Sequence, residues 1–336
     1  MNLEITWFIL IGLLLIIYVV LDGFDLGVGV WYIFSPREHR PALLKTIAPF
    51  WDGNEVWLVT AGGAMFAAFP GWYAALFSGF YLPLFFILIA LIVRGVGIEF
   101  RSKDENPGWR KFWDWAVCIG SFVPSLLWGV AFANFVHGVP ISGELYFAGN
   151  FWDLINVYSI LGGLTSFTGF LLQGAIFISL KTNEPLKPRA EKAAMRVWIP
   201  AVVILVAAVI ATYFYTDILT KLGIDPGPVP IGAVLASFVA GWFIYKKQSG
   251  WAFGLNTLAI GLTVITFFMT LHPRVLVAIN DPILSLTIYN TASGPTTLRT
   301  MSVVALIFVP IVLAYQAWSY WIFRKRITAR PEDLHY

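Results

Sequence analysis

The sequence predicts an all-α integral membrane protein with nine transmembrane helices, its N-terminus outside and its C-terminus in the cytoplasm. Three observations carry that fold class. First, 58% of the 336 residues are hydrophobic and 12% are charged, where soluble domains run near ~25% charged. Second, the apolar residues gather into segments near the roughly 20 residues that a membrane-crossing helix needs. Third, lysine and arginine alternate in abundance from one inter-segment loop to the next.

The segments are expected at 7–33, 52–70, 73–94, 113–136, 152–180, 197–215, 229–245, 251–271 and 301–323. The first lacks a preceding basic stretch and a small-residue cleavage site and is too long for a signal peptide, so it reads as a retained span. The two shortest links, at Pro70-Gly71-Trp72 and over 246–250, require antiparallel neighbours. The loops after spans one, three, five and seven and the tail hold nineteen Lys and Arg. The other side holds three: Lys221, Arg274 and Arg299. The basic side is cytoplasmic by the positive-inside rule.

Span four starts Trp115-Ala116 and ends near His137. Span eight starts Trp251-Ala252 and ends near His272, at nearly the same spacing. Spans one and five both end in glycine-rich helices before a basic loop. The chain is therefore expected to be one polytopic membrane domain with a pseudo-repeat, 1–145 and 146–275, and a last helix at 300–324. Four matching residues in two helices are also within the reach of chance.

Acids inside these segments are the candidate functional residues, because a charge at the bilayer centre costs about 2.5–3.5 kcal/mol on insertion scales. Asp22 and Asp25 are three apart and share one face of span one. Gly23 and Gly27 form a small-xxx-small pair that admits a neighbouring helix. These acids serve either a buried proton or cation path or the packing of helices. The stretch Trp51-Asp52-Gly53-Asn54-Glu55-Val56-Trp57 opens span two with two acids, an amide and two indoles. Asp52 can cap that helix with Glu55 as its capping-box partner, and Asp52 also stands where cytoplasmic protons enter the span. Arg94, Glu99 and Arg101 are explained as residues snorkelling to the interface.

One cysteine, Cys118, excludes an intrachain disulfide, a cysteine-based zinc site and an iron–sulfur cluster. There are four histidines: His39 and His335 in cytoplasmic segments, His137 and His272 at the outer span ends. No pair of them sits at membrane depth on facing helices, as haem iron usually requires, so the chain is expected to bind no haem. Phosphate-binding loops, metal-spaced His/Glu motifs and nucleophile elbows are missing from the sequence. The residues alone describe a proton-conducting subunit or a transporter.

The sequence closely resembles subunit II of the cytochrome bd quinol oxidases. The stretches that carry the resemblance are 21–29 (LDGFDLGVG), 48–59 (APFWDGNEVWLV), 60–68 (TAGGAMFAA), 78–81 (SGFY), 94–101 (RGVGIEFR), 113–122 (WDWAVCIGSF) and 129–135 (GVAFANF). The resemblance implies two four-helix bundles plus a peripheral helix, and a pseudo-symmetric heterodimer with a haem-bearing subunit I. Two b-type haems and one d-type haem then belong to subunit I, with none bound by this chain. It implies a quinol:oxygen oxidoreductase of the bacterial cell membrane that is electrogenic without pumping. Membrane quinol is the substrate, no nucleic acid is a partner, and a small single-helix accessory subunit is admitted.

Carried over by motif, Asp52 of WDGN and Asp25 of LDGFD are the expected proton-path residues, with Asp22 and Glu55 beside them and Trp51 and Asn54 in support. Two other readings stay open: an independent proton- or cation-coupled transporter, and a purely structural subunit of the oxidase.

Overall fold

The computed structural model describes residues 2–144, 146–218 and 224–328. Lys221, Arg330 and His335 lie outside the described residues. Eleven helices carry the fold: α1 (Leu3–Phe34), α2 (Arg40–Ile47), α3 (Trp51–Ala68), α4 (Pro70–Gly79), α5 (Tyr81–Phe100), α6 (Pro107–His137), α7 (Val157–Lys181), α8 (Leu186–Tyr215), α9 (Val229–Tyr245), α10 (Ser249–Leu271) and α11 (Pro295–Ile322).

Among the described residues, seven helices are long and apolar enough to cross a membrane, those of α1, α5, α6, α7, α8, α10 and α11. The expected second span, α3, has 18 residues and a polar start, and the expected seventh, α9, has 17. The expected third span is corrected. Residues 73–94 do not form one helix; the chain turns at Phe69, restarts at Pro70 and breaks again at Phe80. Proline suits the first helical position, where its missing N–H would be unpaired anyway. The apolar run then continues to Phe100, so Arg94 lies inside α5 rather than in a loop. Likewise α7 starts at Val157, after a short turn over Phe151–Leu154, and α8 begins eleven residues early, at Leu186, carrying its basic residues on helix.

Helix α1 stands at the centre, packed on α3, α6, α7 and α10. Helix α5 packs on α6, α6 on α7, α7 on α8 and α9 on α10, while α11 lies outside against α1 and α3. The closest approach is between α1 and α7. A Cβ on Gly27 would overlap the Phe170 carbonyl oxygen and lie 2.9 Å from the Gly174 Cα, so only glycine lets these two backbones meet. At the end where α1 begins, a cap covers the bundle. Strand β1 (Arg274–Leu276) pairs antiparallel with β2 (Leu286–Thr287), and Val139, after α6, bridges to Ala278, after α10. The segments following the two expected repeat helices thus meet side by side.

Candidate functional site

The site is built on α1, α3, α5 and α11. Asp22 and Asp25 are fully buried. Asp25 lies nine residues before the end of α1 at Phe34, roughly 14 Å along its axis, so both acids lie toward the basic end of the bundle. Arg94 comes from α5, itself fully buried, and its Nη1 donates to Asp22 Oδ1 at 2.9 Å. The same nitrogen lies 3.3 Å from Glu55 Oε1. The snorkelling expectation for Arg94 is therefore corrected: its guanidinium points into the bundle because two carboxylates meet it there. Glu99 does stay exposed.

Asp25 has a different partner from Asp22 although they share a helix. Asn54 Nδ2 donates to Asp25 Oδ2 at 2.7 Å. The Asn54 Oδ1 accepts from Gln316 Nε2 and from the Tyr320 hydroxyl, each at 2.9 Å. One oxygen each of Asp22 and Asp25, Oδ2 and Oδ1, has no hydrogen-bond partner among the described residues. Two carboxylates thus share one guanidinium, a third is held by an amide, and buried polar atoms remain open to a proton or a water. Buried groups left without a partner are uncommon and call for an explanation.

One expectation for the WDGN stretch is corrected. Asp52 is not a cap: α3 begins at Trp51, its N-cap is Phe50, and no side chain caps it. The short helix α2 runs through turns at 48–50 straight into α3, and the Asn54 amide already bonds the Phe50 carbonyl at 2.9 Å. Nor does Asp52 join the cluster. Residues 54, 57, 61, 65 and 68 form the buried stripe of α3, and Asp52 falls on its exposed side with no hydrogen bond to any described residue. The Trp51 ring lies against Gly95, where a Cβ would come within 2.9 Å.

A second polar cluster lies closer to the basic end, and sequence reasoning missed it. Asp114 of α6 is nearly buried and accepts from the Tyr32 hydroxyl, from Arg40 Nη1, and from Arg101 Nε at 2.8 Å. It ties α1, α2, α6 and the turn after α5 together. The signal was available as an acid inside an aromatic run, Trp113-Asp114-Trp115. Gln316, an amide in the middle of the last span, was the comparable signal for α11.

His137 Nδ1 lies 2.7 Å from the Tyr215 carbonyl oxygen, and His272 sits edge-on to Phe8. A separate recess opens between α6, α7, α8, α9 and α10, with Phe132, Tyr158, Thr212, Asn256 and Phe267 in its walls. Among its described lining residues there is no carboxylate, lysine, arginine or histidine, so it takes no part in the acid cluster.

Residues 3–323 match the family model described as cytochrome bd terminal oxidase subunit II. Subunit 2 of the cytochrome bd ubiquinol oxidase of Bacillus subtilis (strain 168) is 41% identical over 329 residues, covering 97% of each chain. Subunit 2 of the cytochrome bd-I ubiquinol oxidase of Escherichia coli (strain K12) is 36% identical, covering 99% of this chain and 96% of the relative. The structure of bd oxidase from Geobacillus thermodenitrificans superposes with a TM-score of 0.79 over 96% of this chain and 99% of that one. At 17% identity that likeness speaks for the fold alone. The relatives are subunits of an oxidoreductase complex, which agrees with a multi-pass bacterial membrane protein of the respiratory chain. On a family match spanning nearly its whole length, this chain belongs to the cytochrome bd terminal oxidase subunit II family.

Proposed function

We propose that this chain is the haem-free subunit of a bd-type quinol oxidase and carries cytoplasmic protons toward the oxygen-reducing haem of subunit I. Nine crossings, in two four-helix bundles with α11 peripheral, would set the N-terminus outside. The basic end then faces the cytoplasm. On this reading the two b-type haems and the d-type haem sit in subunit I, where membrane quinol is oxidised. A small single-helix accessory subunit fits the same assembly.

The observation that carries the proposal is the cluster itself: the buried Asp22 and the part-exposed Glu55 on Arg94, with the buried Asp25 beside them on Asn54 and one oxygen of each aspartate open. Pairing Arg94 accounts for one acid; further acids held beside it against the low dielectric are more than packing needs. Asp52 supplies the outer step. It is exposed on the face of α3 left uncovered by this chain and stands one turn before Glu55. Protons reaching Asp52 meet Glu55 next, and Glu55 and Asp22 share Arg94 Nη1. Exchange of a proton between these acids leaves the guanidinium paired throughout.

Neutralising the acids in the intact complex tests this. Asp25→Asn keeps the shape of the side chain and is expected to lower quinol-driven oxygen uptake by about a hundredfold, the low end of what one positioned proton-transfer group contributes. Asp52→Asn is expected to lower it several-fold. Haem content, read from the dithionite-reduced minus oxidised spectrum, stays at the parent level in both. Full oxygen uptake by fully assembled Asp25→Asn and Asp52→Asn complexes would reject the conduit and leave the chain a scaffold. A preparation of the chain that folds without any haem-bearing partner would point to the transporter instead.

A further inference from the structure

Helix α11 is attached unlike the others. Leu298 is the one buried residue on it, and most of its length turns outward. It is held at two ends. At the start, the Trp7 indole donates to the Leu298 carbonyl at 3.2 Å and to Ser302 Oγ at 3.1 Å. At the finish, Lys181 Nζ donates to the Phe323 carbonyl and, at 3.2 Å, to the Lys325 carbonyl. A cation suits that position, where the last carbonyls of a helix carry its negative end. The Ile327 amide then donates to the Lys181 carbonyl at 2.7 Å and the Asn183 amide to the Ile327 carbonyl at 3.2 Å. Between these latches α11 delivers two polar side chains inward, Gln316 and Tyr320. The Tyr320 ring stacks on Phe50, 4.4 Å between centroids and 10° from parallel.

Both side chains donate to the same atom, Asn54 Oδ1. An amide oxygen has two acceptor lone pairs and the amide nitrogen has only donors. With both lone pairs occupied, the Asn54 amide has one orientation, and its NH2 group faces Asp25. Turning it over would place an oxygen against both the acid and the Leu21 carbonyl, which Asn54 Nδ2 also faces at 3.5 Å, and would force the Gln316 amide and the Tyr320 hydroxyl to turn with it. The helix outside the bundle thus acts with the Leu21 carbonyl of α1 to hold Asn54 as donor and Asp25 as acceptor at Oδ2.

We infer that Gln316 and Tyr320 are positioning residues for proton transfer, acting through Asn54 to fix the hydrogen-bond sense at Asp25. The inference rests on the proposed conduit and adds α11 to it. The charged and titratable groups facing Asp25 are Asp22 on its own helix, Glu55 on α3, Arg94 on α5 and Tyr320 on α11. The part of α7 packed there presents Phe170, Gly174 and Phe177, which do not titrate.

The test uses Tyr320→Phe, which keeps the stack on Phe50 and removes only the hydroxyl, and the double variant Tyr320→Phe/Gln316→Leu. Each is measured in the intact complex as the pH profile of quinol-driven oxygen uptake, with haem content as the measure of assembly. The double variant is expected to keep its haem and to displace the pH profile by about half a pH unit or more, as the loss of hydrogen bonds of ordinary strength requires. The single variant is expected to displace it less. A role confined to packing would scale the profile and leave its position unchanged, and a parent-like position in both assembled variants overturns the inference. If the double variant loses its haem, the single variant decides by the same criterion. Asp25→Asn separates the two levels. Reduced uptake there with unmoved profiles in the α11 variants defeats only the role of α11, whereas full uptake in Asp25→Asn defeats the conduit itself.

Discussion

Arg94→Leu is expected to yield little or no assembled complex. The guanidinium is fully buried, with Asp22 Oδ1 at 2.9 Å and Glu55 Oε1 at 3.3 Å. Leucine fills much of the space but leaves Asp22 buried with no counter-charge. Removing one partner of a buried pair costs about 3–5 kcal/mol, because the remaining charge is stranded. That is a large part of the roughly 5–15 kcal/mol that holds a typical protein folded. Arg94→Lys keeps the charge but puts a compact, strongly hydrated ammonium on a shorter side chain in place of the nitrogen that meets both carboxylates, so it is expected to fall between parent and Arg94→Leu. Adding Asp22→Asn to Arg94→Leu removes the stranded charge and is expected to recover part of the loss. The measurement is the fraction of detergent-solubilised complex surviving a heating series, followed by size-exclusion chromatography. Parent-like survival of Arg94→Leu would mean that the pair contributes nothing to the fold.

The second large effect is expected at the crossing of α1 and α7. Gly27→Val places a branched side chain where the Phe170 carbonyl oxygen and the Gly174 backbone already stand. Backbone cannot swing aside as a side-chain tip can, so the helices must separate. Overpacking usually costs about 1–3 kcal/mol and occasionally more. With backbone on the far side, the upper end applies. Separation would also shift Asp22 and Asp25, which lie on the same stretch of α1, away from Arg94 and Asn54. Gly27→Val is therefore expected to lower both assembly and, in whatever complex forms, oxygen uptake. Gly254→Ala on α10 is the control: a Cβ there meets nothing within 4 Å, and parent behaviour is expected. The same heating series reads both. Equal survival of Gly27→Val and Gly254→Ala would show that the close contact does not matter.

The acids of the site were visible in the sequence because charge inside an apolar segment stands out against its surroundings. Asp22, Asp25 and Glu55 were found that way, and the glycine pair beside them announced a close helix crossing. Arg94 was visible too, but its direction was not. A cation near the end of an apolar run snorkels outward or turns inward according to what faces it, and what faces it is Asp22, 72 positions away in sequence. Asp52 failed in the opposite sense. Its neighbours in sequence suggested a cap, yet the cap depends on where the helix starts, and α2 runs through 48–50 into α3 so that Phe50, not Asp52, precedes its first turn.

Composition, the placement of basic residues and the spacing of apolar runs by themselves determined that this chain is a helical membrane protein with acids in its first two spans. These are local properties, set by the cost of polar groups in hydrocarbon and the length of a helix that crosses it. Tertiary structure alone decided which acid meets which partner. It split Asp22 from Asp25, sent Asp52 to the outer face, gathered Asp114 with Tyr32, Arg40 and Arg101, and brought Gln316 and Tyr320 back onto Asn54 across more than 260 residues of chain. Such pairings depend on the rotation and height of whole helices against one another, which are fixed by the close contacts of glycines and by two latches on α11, and no window of neighbouring residues contains them.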